Sequence, residues 1–369
     1  MATLRAKFNL LRGIVSGSKA FTGPFNATID LTRKCNLNCP GCYRHSRDLK
    51  NIKWRGDMKI NEMPFPLYQS ACSQLHEMGT TAIILLGEGE PFLHERLTDM
   101  IVFARNLGLF VSVVTNGTYL DEKSAQMLVA SGLDALQVTL WAHSKQNYEQ
   151  QYPNTSPDMF NQVVNGLKAL SDMKGKMKSP VPEVKLHHPI NKKNFMGLEK
   201  MVSLARETGC EVISFSPFIN WEGQLTSLSL SAAEENQVIE TLKKMKNNLK
   251  NQLMKHNIDT TLQRYQIGEA VRANCPCYIG WFHTRIRVDG NVFPCAACDF
   301  LAGNLKETSL ENIWNGEMMK KFRRNLLLND EQLDADCDCS FCCHITENVR
   351  VHSFYRILIP LLKKRPDHV

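Results

Sequence analysis

Apolar and polar positions alternate in blocks along the first 230 residues of the chain. Short apolar runs rich in β-branched residues predict strands, and each is followed by a segment with the hydrophobic spacing of an amphipathic helix. Six strands are predicted, at 25–32, 81–87, 109–117, 133–142, 182–191 and 210–218. Helices are predicted between them at 64–79, 93–108, 120–132, 156–173 and 195–209, and a long helix begins near Ser231 with the capping box Ser-Ala-Ala-Glu.

Strands this apolar are typical of a parallel sheet buried on both faces, and right-handed crossovers wind such a sheet into a barrel or part of one. Six strand–helix units predict an α/β fold with a partial (β/α)6 TIM-like barrel and a small cysteine-rich module after it. The predicted divisions are a basic N-terminal segment (1–24), the barrel (25–230), a connecting helix and linker (231–274), the cysteine-rich module (275–345) and a basic amphipathic tail (346–369).

Composition restricts the class of protein. The chain has 369 residues, a formal net charge of +7 and 43% hydrophobic residues, which is typical of a globular protein. No secretory signal, apolar membrane span or nucleic-acid-binding signature is present, so a cytoplasmic location and no nucleic-acid partner are expected. The basic tail has two interpretations: it packs back on the barrel, or it lies peripherally on an anionic membrane surface.

Thirteen cysteines are present, and eleven of them fall in two groups. Cys35, Cys39 and Cys42 form the first group, with C-x3-C-x2-C spacing, just after the first predicted strand. Three thiolates can hold three irons of a [4Fe–4S] cluster and leave the fourth iron open. A zinc site with His45 as fourth ligand is the alternative. In barrels of this kind the chemistry lies where the strands end, which is where this loop is placed.

The next two strands end in "LLGEGEPFL" and "TNGTYL". Together with the cysteine loop, these motifs resemble the radical S-adenosylmethionine (SAM) superfamily. The resemblance implies that SAM binds the open iron and is reductively cleaved to a 5′-deoxyadenosyl radical, which abstracts a substrate hydrogen. It also implies cofactor contacts by Gly89, Glu90, Pro91 and Asn116. Glu90 is expected to bind the SAM amino group, and Glu88 is the next candidate for that contact.

The family pattern differs here at one position. The residue before the third cysteine is often aromatic and contacts the adenine of SAM, but this chain has Gly41 there. Tyr43 is the nearest aromatic residue, and it is expected either to bind the cofactor or to pack in the core.

The second group contains eight cysteines after position 274, around a G-x4-C hairpin motif at Gly290. It resembles the SPASM or twitch extension, which implies at least one auxiliary [4Fe–4S] cluster. The preferred ligands are Cys277, Cys295, Cys339 and Cys342. Two alternatives remain open: a zinc site, and a second cluster that uses Cys275, Cys298, Cys337 or Cys343. Disulfides are less expected than either.

An auxiliary cluster suits oxidation, because it can accept an electron from a substrate radical. The sequence therefore favours a radical SAM oxidoreductase-type enzyme that acts on a small-molecule substrate, one that is sugar-, aminocyclitol- or lipid-linked. A flavodoxin or ferredoxin is the expected reductant of the enzyme. About 24 residues precede the first strand, fewer than a leader-binding domain needs. Two alternatives remain: a maturase that crosslinks peptides with a separate leader-binding protein, and an iron–sulfur electron-transfer scaffold.

Oxidation also needs a group that takes a proton. His187 and His188 near the end of the fifth predicted strand, and Trp221 and Glu222 beyond the sixth, are expected to face the rim. No catalytic residue is assigned from the sequence, because side chains of these types more often fill ordinary loop or core positions.

Overall fold

The computed structural model describes residues 4–50, 59–152, 155–156, 158–250, 252–267, 275–296, 298–328, 337, 342 and 344–356. One ten-stranded sheet forms its framework, in the order β10-β9-β8-β1-β2-β3-β4-β5-β6-β7. The strands are β1 (Asn26–Asp30), β2 (Ala82–Leu86), β3 (Phe110–Thr115), β4 (Ala135–Thr139), β5 (Glu183–Ile190), β6 (Val212–Pro217), β7 (Lys255–His256), β8 (His283–Ile286), β9 (Asn291–Phe293) and β10 (Gly303–Asn304).

Strands β1 to β7 pair in parallel with their neighbours, and helices connect them. The helices are α1 (Leu4–Ser16), α2 (Phe65–Glu77), α3 (Leu97–Asn106), α4 (Glu122–Ala130), α5 (Lys145–Gln151), α6 (Met159–Lys176), α7 (Leu198–Glu207), α8 (Ala232–Leu249), α9 (Ile258–Ile267), α10 (Leu310–Trp314), α11 (Glu317–Leu328) and α12 (Ile345–Tyr355). All six predicted strands are present, and the open parallel sheet confirms the partial barrel.

Alternation of burial along the strands gives the sheet two different faces. On β2, Ile83 and Leu85 are fully buried against the helices, whereas Ile84 points to the other face and is only half-buried. Strand β5 follows the same pattern from Glu183 to Ile190. The less buried face is the concave side of the partial barrel, and it is therefore the side on which a substrate can reach the strands.

The cysteine-rich module joins the barrel sheet directly. Strand β8 pairs in parallel with β1, with Asn26 beside His283 and Ile29 beside Ile286. It then turns back through Gly290, whose φ of +86° suits glycine, into antiparallel β9. The predicted hairpin is confirmed, and its first strand lies beside the strand that leads into the first cysteine group.

The chain ends differ in what the structure shows. The predicted basic N-terminal segment contains helix α1, which buries Leu10, Leu11 and Ile14. Most of the predicted amphipathic tail, residues 357–369, lies outside the described residues. Among the helices that are described, none is long and apolar enough to cross a bilayer.

Candidate active site

The first cysteine group lies on the loop that leaves the carboxyl end of β1. The backbone N–H of Cys42 donates to the carbonyl of Cys39 at 3.0 Å, which folds the loop into a tight turn. The charge of Cys42 raises the pKa of both Cys35 and Cys39, after the larger effect of burial. The three thiols therefore lie on one loop, within range of one another's charge.

These thiols need a positive partner to ionise. Burial raises the pKa of Cys35 to about 11, and it also raises the pKa of Cys39 and Cys42. A bound iron would supply that positive charge. His45 Nε2 instead bonds to the carbonyl oxygen of Glu88 at 2.8 Å. The Nε2 proton of His45 is used in this hydrogen bond, so a zinc site would have to use Nδ1 of the same ring.

The glycine-rich loop after β2 packs closely on the stem of the cysteine loop. The backbone N–H of Glu90 donates to the carbonyl of Lys34 at 2.8 Å. A Cβ atom at Gly89 would collide with that same carbonyl, so a side chain at this position would push the two loops apart. The predicted site residue Gly89 thus has a structural reason to be glycine, at the edge of the cysteine loop.

Glu90 connects the ends of β2 and β3. Its carboxylate accepts hydrogen bonds from the hydroxyl of Thr115 at 2.6 Å, the backbone N–H of Asn116 at 2.8 Å and that of Phe92 at 3.2 Å. Burial raises its pKa to about 7, although these hydrogen bonds act in the opposite direction. Pro91 next to it is buried and starts a short 3-10 turn.

Asn116 extends this connection to the cysteine loop. Its Nδ2 donates to Oδ1 of Asn36 at 3.0 Å, and Asn36 Nδ2 donates to the hydroxyl of Thr118 at 2.8 Å. Asn36 follows Cys35 directly. The structure therefore brings the three predicted motifs together at one edge of the sheet.

Aromatic rings surround the last turn of the cysteine loop. A Cβ atom at Gly41 would collide with the rings of Trp141 and Phe218, which explains why no aromatic side chain occupies that position. Trp221 Nε1 donates to the carbonyl of Gly41 at 3.2 Å, and its ring lies 5.2 Å from that of Tyr43. Trp221 reaches the rim as predicted, whereas the side chain of Glu222 lies outside the described residues.

A buried network of charges, which we call the arginine cluster, lies behind this loop. Its members are Arg33, Arg44, Arg285, Arg287, Asp30, Glu88, Asp289 and Asp299. Seven of these residues belong to no motif that would assign them a role from the sequence. Arg285 lies on β8 and Arg287 directly follows that strand, and their spacing of two is the signal that places both on the same face of the extended chain.

Glu88 occupies the centre of the arginine cluster. Its side chain is fully buried and accepts from Arg33 Nε at 2.7 Å, and Arg44 and Arg287 also form ion pairs with it. Arg33 additionally contacts Asp289, just before the hairpin turn, at 2.9 Å. Glu88 is therefore held by arginines rather than available for the SAM amino group.

The two histidines on β5 point in opposite directions. His188 is fully buried, with Nδ1 2.8 Å from the carbonyl of Leu140, so the expectation that it faces the rim was wrong: the strand pleat turns it toward the helices. His187 faces the concave side, with Nδ1 2.8 Å from Ser214 Oγ and Nε2 3.3 Å from Ser216 Oγ. Burial lowers the pKa of His187 to about 3, which makes it a weak base.

The second cysteine group converges on helix α12. The side chain of Asn348 on this helix lies 3.8 Å from the sulfurs of both Cys277 and Cys342. Cys295 lies two residues after β9, half-buried like those two cysteines. Cys339, the fourth predicted ligand, lies outside the described residues, as does Cys343.

Two further cysteines are joined in this structure. Cys298 and Cys337 form a disulfide, with their Cα atoms 4.0 Å apart. This corrects the expectation that disulfides are the less favoured state, and an antiparallel backbone bridge between the same residues explains their proximity. Cys275, another candidate for a second cluster, is buried, and its sulfur lies 3.5 Å from the carbonyl of Pro276.

Comparison with known proteins identifies both halves of this site. Residues 29–179 match the radical SAM superfamily, and residues 275–344 match SPASM, an iron-sulfur cluster-binding domain. Over 311 residues the chain is 27% identical to PqqA peptide cyclase of Xanthomonas campestris pv. campestris (strain 8004), covering 81% of this chain and 76% of that protein.

Solved structures share the fold at lower sequence identity. Streptococcus suis SuiB bound to precursor peptide SuiA aligns with a TM-score of 0.63 at 15% identity, covering 82% of this chain and 67% of that one. The enzyme anSMEcpe, with bound AdoMet (SAM) and the Kp18Cys peptide, aligns with a TM-score of 0.61 at 15% identity, covering 92% and 99%.

The two domains imply a SAM-binding [4Fe–4S] cluster, SAM itself and auxiliary clusters. Cys35, Cys39 and Cys42 on the first loop, and Cys277 and Cys342 beside Asn348, are the thiols that would hold those cofactors. Residues 29–179 are thus a radical SAM domain, and residues 275–344 are a C-terminal SPASM iron–sulfur cluster-binding domain.

Proposed function

We propose that this radical SAM enzyme modifies a peptide. The observation that carries the proposal is the match to PqqA peptide cyclase, which extends over 81% of the chain and 76% of the relative and so includes both domains. SuiB with its precursor peptide shares the fold. The peptide alternative from the sequence thus replaces the small-molecule substrate as the preferred function.

In this proposal each motif around the cysteine loop has one task. Cys35, Cys39 and Cys42 hold the SAM-binding cluster, which with bound SAM supplies the 5′-deoxyadenosyl radical. Glu90 and Asn116 fix the loops on which SAM lies, since both connect neighbouring strand ends by short hydrogen bonds. Tyr43, held against Trp221, borders the same space.

The substrate is proposed to lie against the concave face of β4, β5 and β6. Strand register places Thr139, His187 and Ser214 side by side there, and Lys185 lies two residues before His187 on the same face. Burial keeps His187 neutral at physiological pH. It is therefore suited to fixing the hydroxyl groups of Ser214 and Ser216 on this face rather than to taking a proton.

Oxidation of the substrate radical is proposed to use the SPASM domain. Cys277, Cys295, Cys339 and Cys342 would hold an auxiliary cluster whose four thiolates leave no open iron, so the cluster is suited to accepting the electron. A flavodoxin or ferredoxin is the proposed source of the electron that starts the reaction.

The test supplies candidate peptides encoded beside the gene for this chain, deuterated at carbon, to the anaerobically reconstituted enzyme with SAM and dithionite. We expect deuterium to enter 5′-deoxyadenosine and the peptide to lose two hydrogens, measured by mass spectrometry. A variant with alanine at Cys35, Cys39 and Cys42 is the control and should give neither product.

Deuterated aminocyclitols and nucleotide sugars form the competing arm of the same experiment. Deuterium transfer from those compounds, with none from any peptide, would restore the small-molecule function. A reduced and intact cluster that releases no 5′-deoxyadenosine in either arm would instead favour the electron-transfer scaffold.

A further inference from the structure

One side chain on α12 contacts two of the proposed auxiliary-cluster ligands. Asn348 is buried, with 3% of its surface exposed. Its Nδ2 lies 3.8 Å from Cys277 Sγ and 3.8 Å from Cys342 Sγ. These two cysteines are 65 positions apart in the chain, and the amide lies between their sulfurs.

The opposite end of the same amide determines its orientation. The backbone N–H of Tyr278 donates to Asn348 Oδ1 at 2.7 Å, which identifies the oxygen end. The NH₂ end must then face the sulfurs, and its two hydrogens match two acceptors at equal distance. Asn348 itself is held in the helix by a backbone hydrogen bond to the carbonyl of His344 at 3.0 Å.

We propose that Asn348 donates N–H···S hydrogen bonds to Cys277 and Cys342, and that it thereby positions the auxiliary cluster and raises its reduction potential. Hydrogen bonds to cluster sulfurs are one of the main means by which a protein sets this potential. The cluster is more negative when reduced, so a neutral donor stabilises the reduced form more than the oxidised form. This inference goes beyond the proposed function and does not depend on which substrate is used.

The decisive variant is Asn348→Leu, which keeps a similar volume but removes both donors. Asn348→Leu is compared with the protein that keeps Asn348, and in both proteins Cys35, Cys39 and Cys42 are replaced by alanine. Only the iron of the auxiliary cluster is then observed. We expect the reduction equilibrium of the cluster to become about tenfold less favourable, equal to about 59 mV for one electron. A potentiometric titration followed by electron paramagnetic resonance measures this shift.

Tyr278→Phe is the matched control. It removes the hydrogen bond between the Tyr278 hydroxyl and Nδ1 of His352, also on α12, at 2.9 Å. It leaves the backbone N–H that holds Asn348 in place. The potential should stay at the wild-type value in this control, whereas equal potentials for Asn348→Leu and Tyr278→Phe would overturn the proposal.

A second measurement uses the protein with Asn348 intact, and it tests the proposal even if the Asn348→Leu variant does not bind iron. Selective ¹⁵N labelling of asparagine side chains should give a ¹⁵N coupling to the reduced auxiliary cluster in pulsed electron paramagnetic resonance. Absence of that coupling, or zinc in place of iron in the module, would overturn the proposal. No SAM or peptide enters these experiments, so the outcome is independent of the proposed function.

Discussion

Replacing Glu88 with glutamine should destabilise the fold strongly, because this carboxylate is the common partner of three buried arginines. Its side chain has no exposed surface, and Arg33 and Arg287 next to it are about 95% buried. Glutamine keeps the shape but removes the negative charge. The three arginines would then lose the charge that they share, although Arg33 keeps its ion pair with Asp289 and Arg287 keeps its ion pair with Asp299.

The expected size of the effect follows from the burial. Removing one partner of a buried ion pair costs about 3–5 kcal/mol, because a buried charge loses an interaction that water does not replace. The entropy of unfolding is about 2.1 cal/mol/K per residue, which gives about 0.8 kcal/mol/K for 369 residues that unfold as one unit. Dividing the lost free energy by this entropy gives a fall of about 4–6 °C in the unfolding midpoint.

Thermal unfolding of the metal-free protein, followed by circular dichroism, is the assay. The control is Glu240→Gln, because Glu240 pairs with Lys243 at 2.8 Å but both side chains are more than half exposed. An exposed pair contributes less than about 1 kcal/mol, so the control should shift the midpoint by only about 1 °C. Equal shifts for Glu88→Gln and Glu240→Gln would refute the reasoning.

Three further predictions concern the cofactors and the tail. Alanine at Cys35, Cys39 and Cys42 together should abolish 5′-deoxyadenosine release while leaving about four irons or more per chain in the auxiliary module; substantial release from this variant would disprove the assignment of the SAM-binding cluster. Glu90→Gln should weaken SAM binding at least about tenfold in equilibrium dialysis, because the charge-assisted hydrogen bonds from Thr115 and Asn116 that fix the two loops are lost; an unchanged affinity would show that these bonds do not shape the SAM site. The full chain and a chain truncated after Arg356 should both fail to float with anionic liposomes at low salt; flotation of the full chain alone would place the tail on a membrane.

The parts of the fold that depend on local pattern were predictable from the sequence. The six strands β1 to β6 follow from apolar runs, and the capping box at Ser231 and Glu234 is present as predicted. Glu88 shows where local pattern is insufficient. Its position beside the glycine-rich motif indicated a substitute role at the SAM amino group, but its partners Arg33, Arg44 and Arg287 come from two distant parts of the chain.

Long-range pairing accounts for most of what the sequence could not give. The pairing of β8 with β1 joins residues more than 250 positions apart, and periodicity alone cannot indicate it. Asn348 lies in a helix after the last cysteine, where its residue type carries no signal. Its contact with two sulfurs becomes visible only when α12 is placed against Cys277.

Arg285 shows how this pairing serves the site. Its Nε bonds to Asp30 at 2.8 Å, its Nη2 donates to the hydroxyl of Tyr43 at 2.8 Å and its Nη1 donates to the carbonyl of Ala296 at 3.0 Å. Tyr43 directly follows the third cysteine of the SAM-binding group, and Ala296 directly follows Cys295. One fully buried guanidinium thus spans the two cysteine groups. Because β1 and β8 are adjacent, this guanidinium joins the loop that carries Cys42 to the segment that carries Cys295.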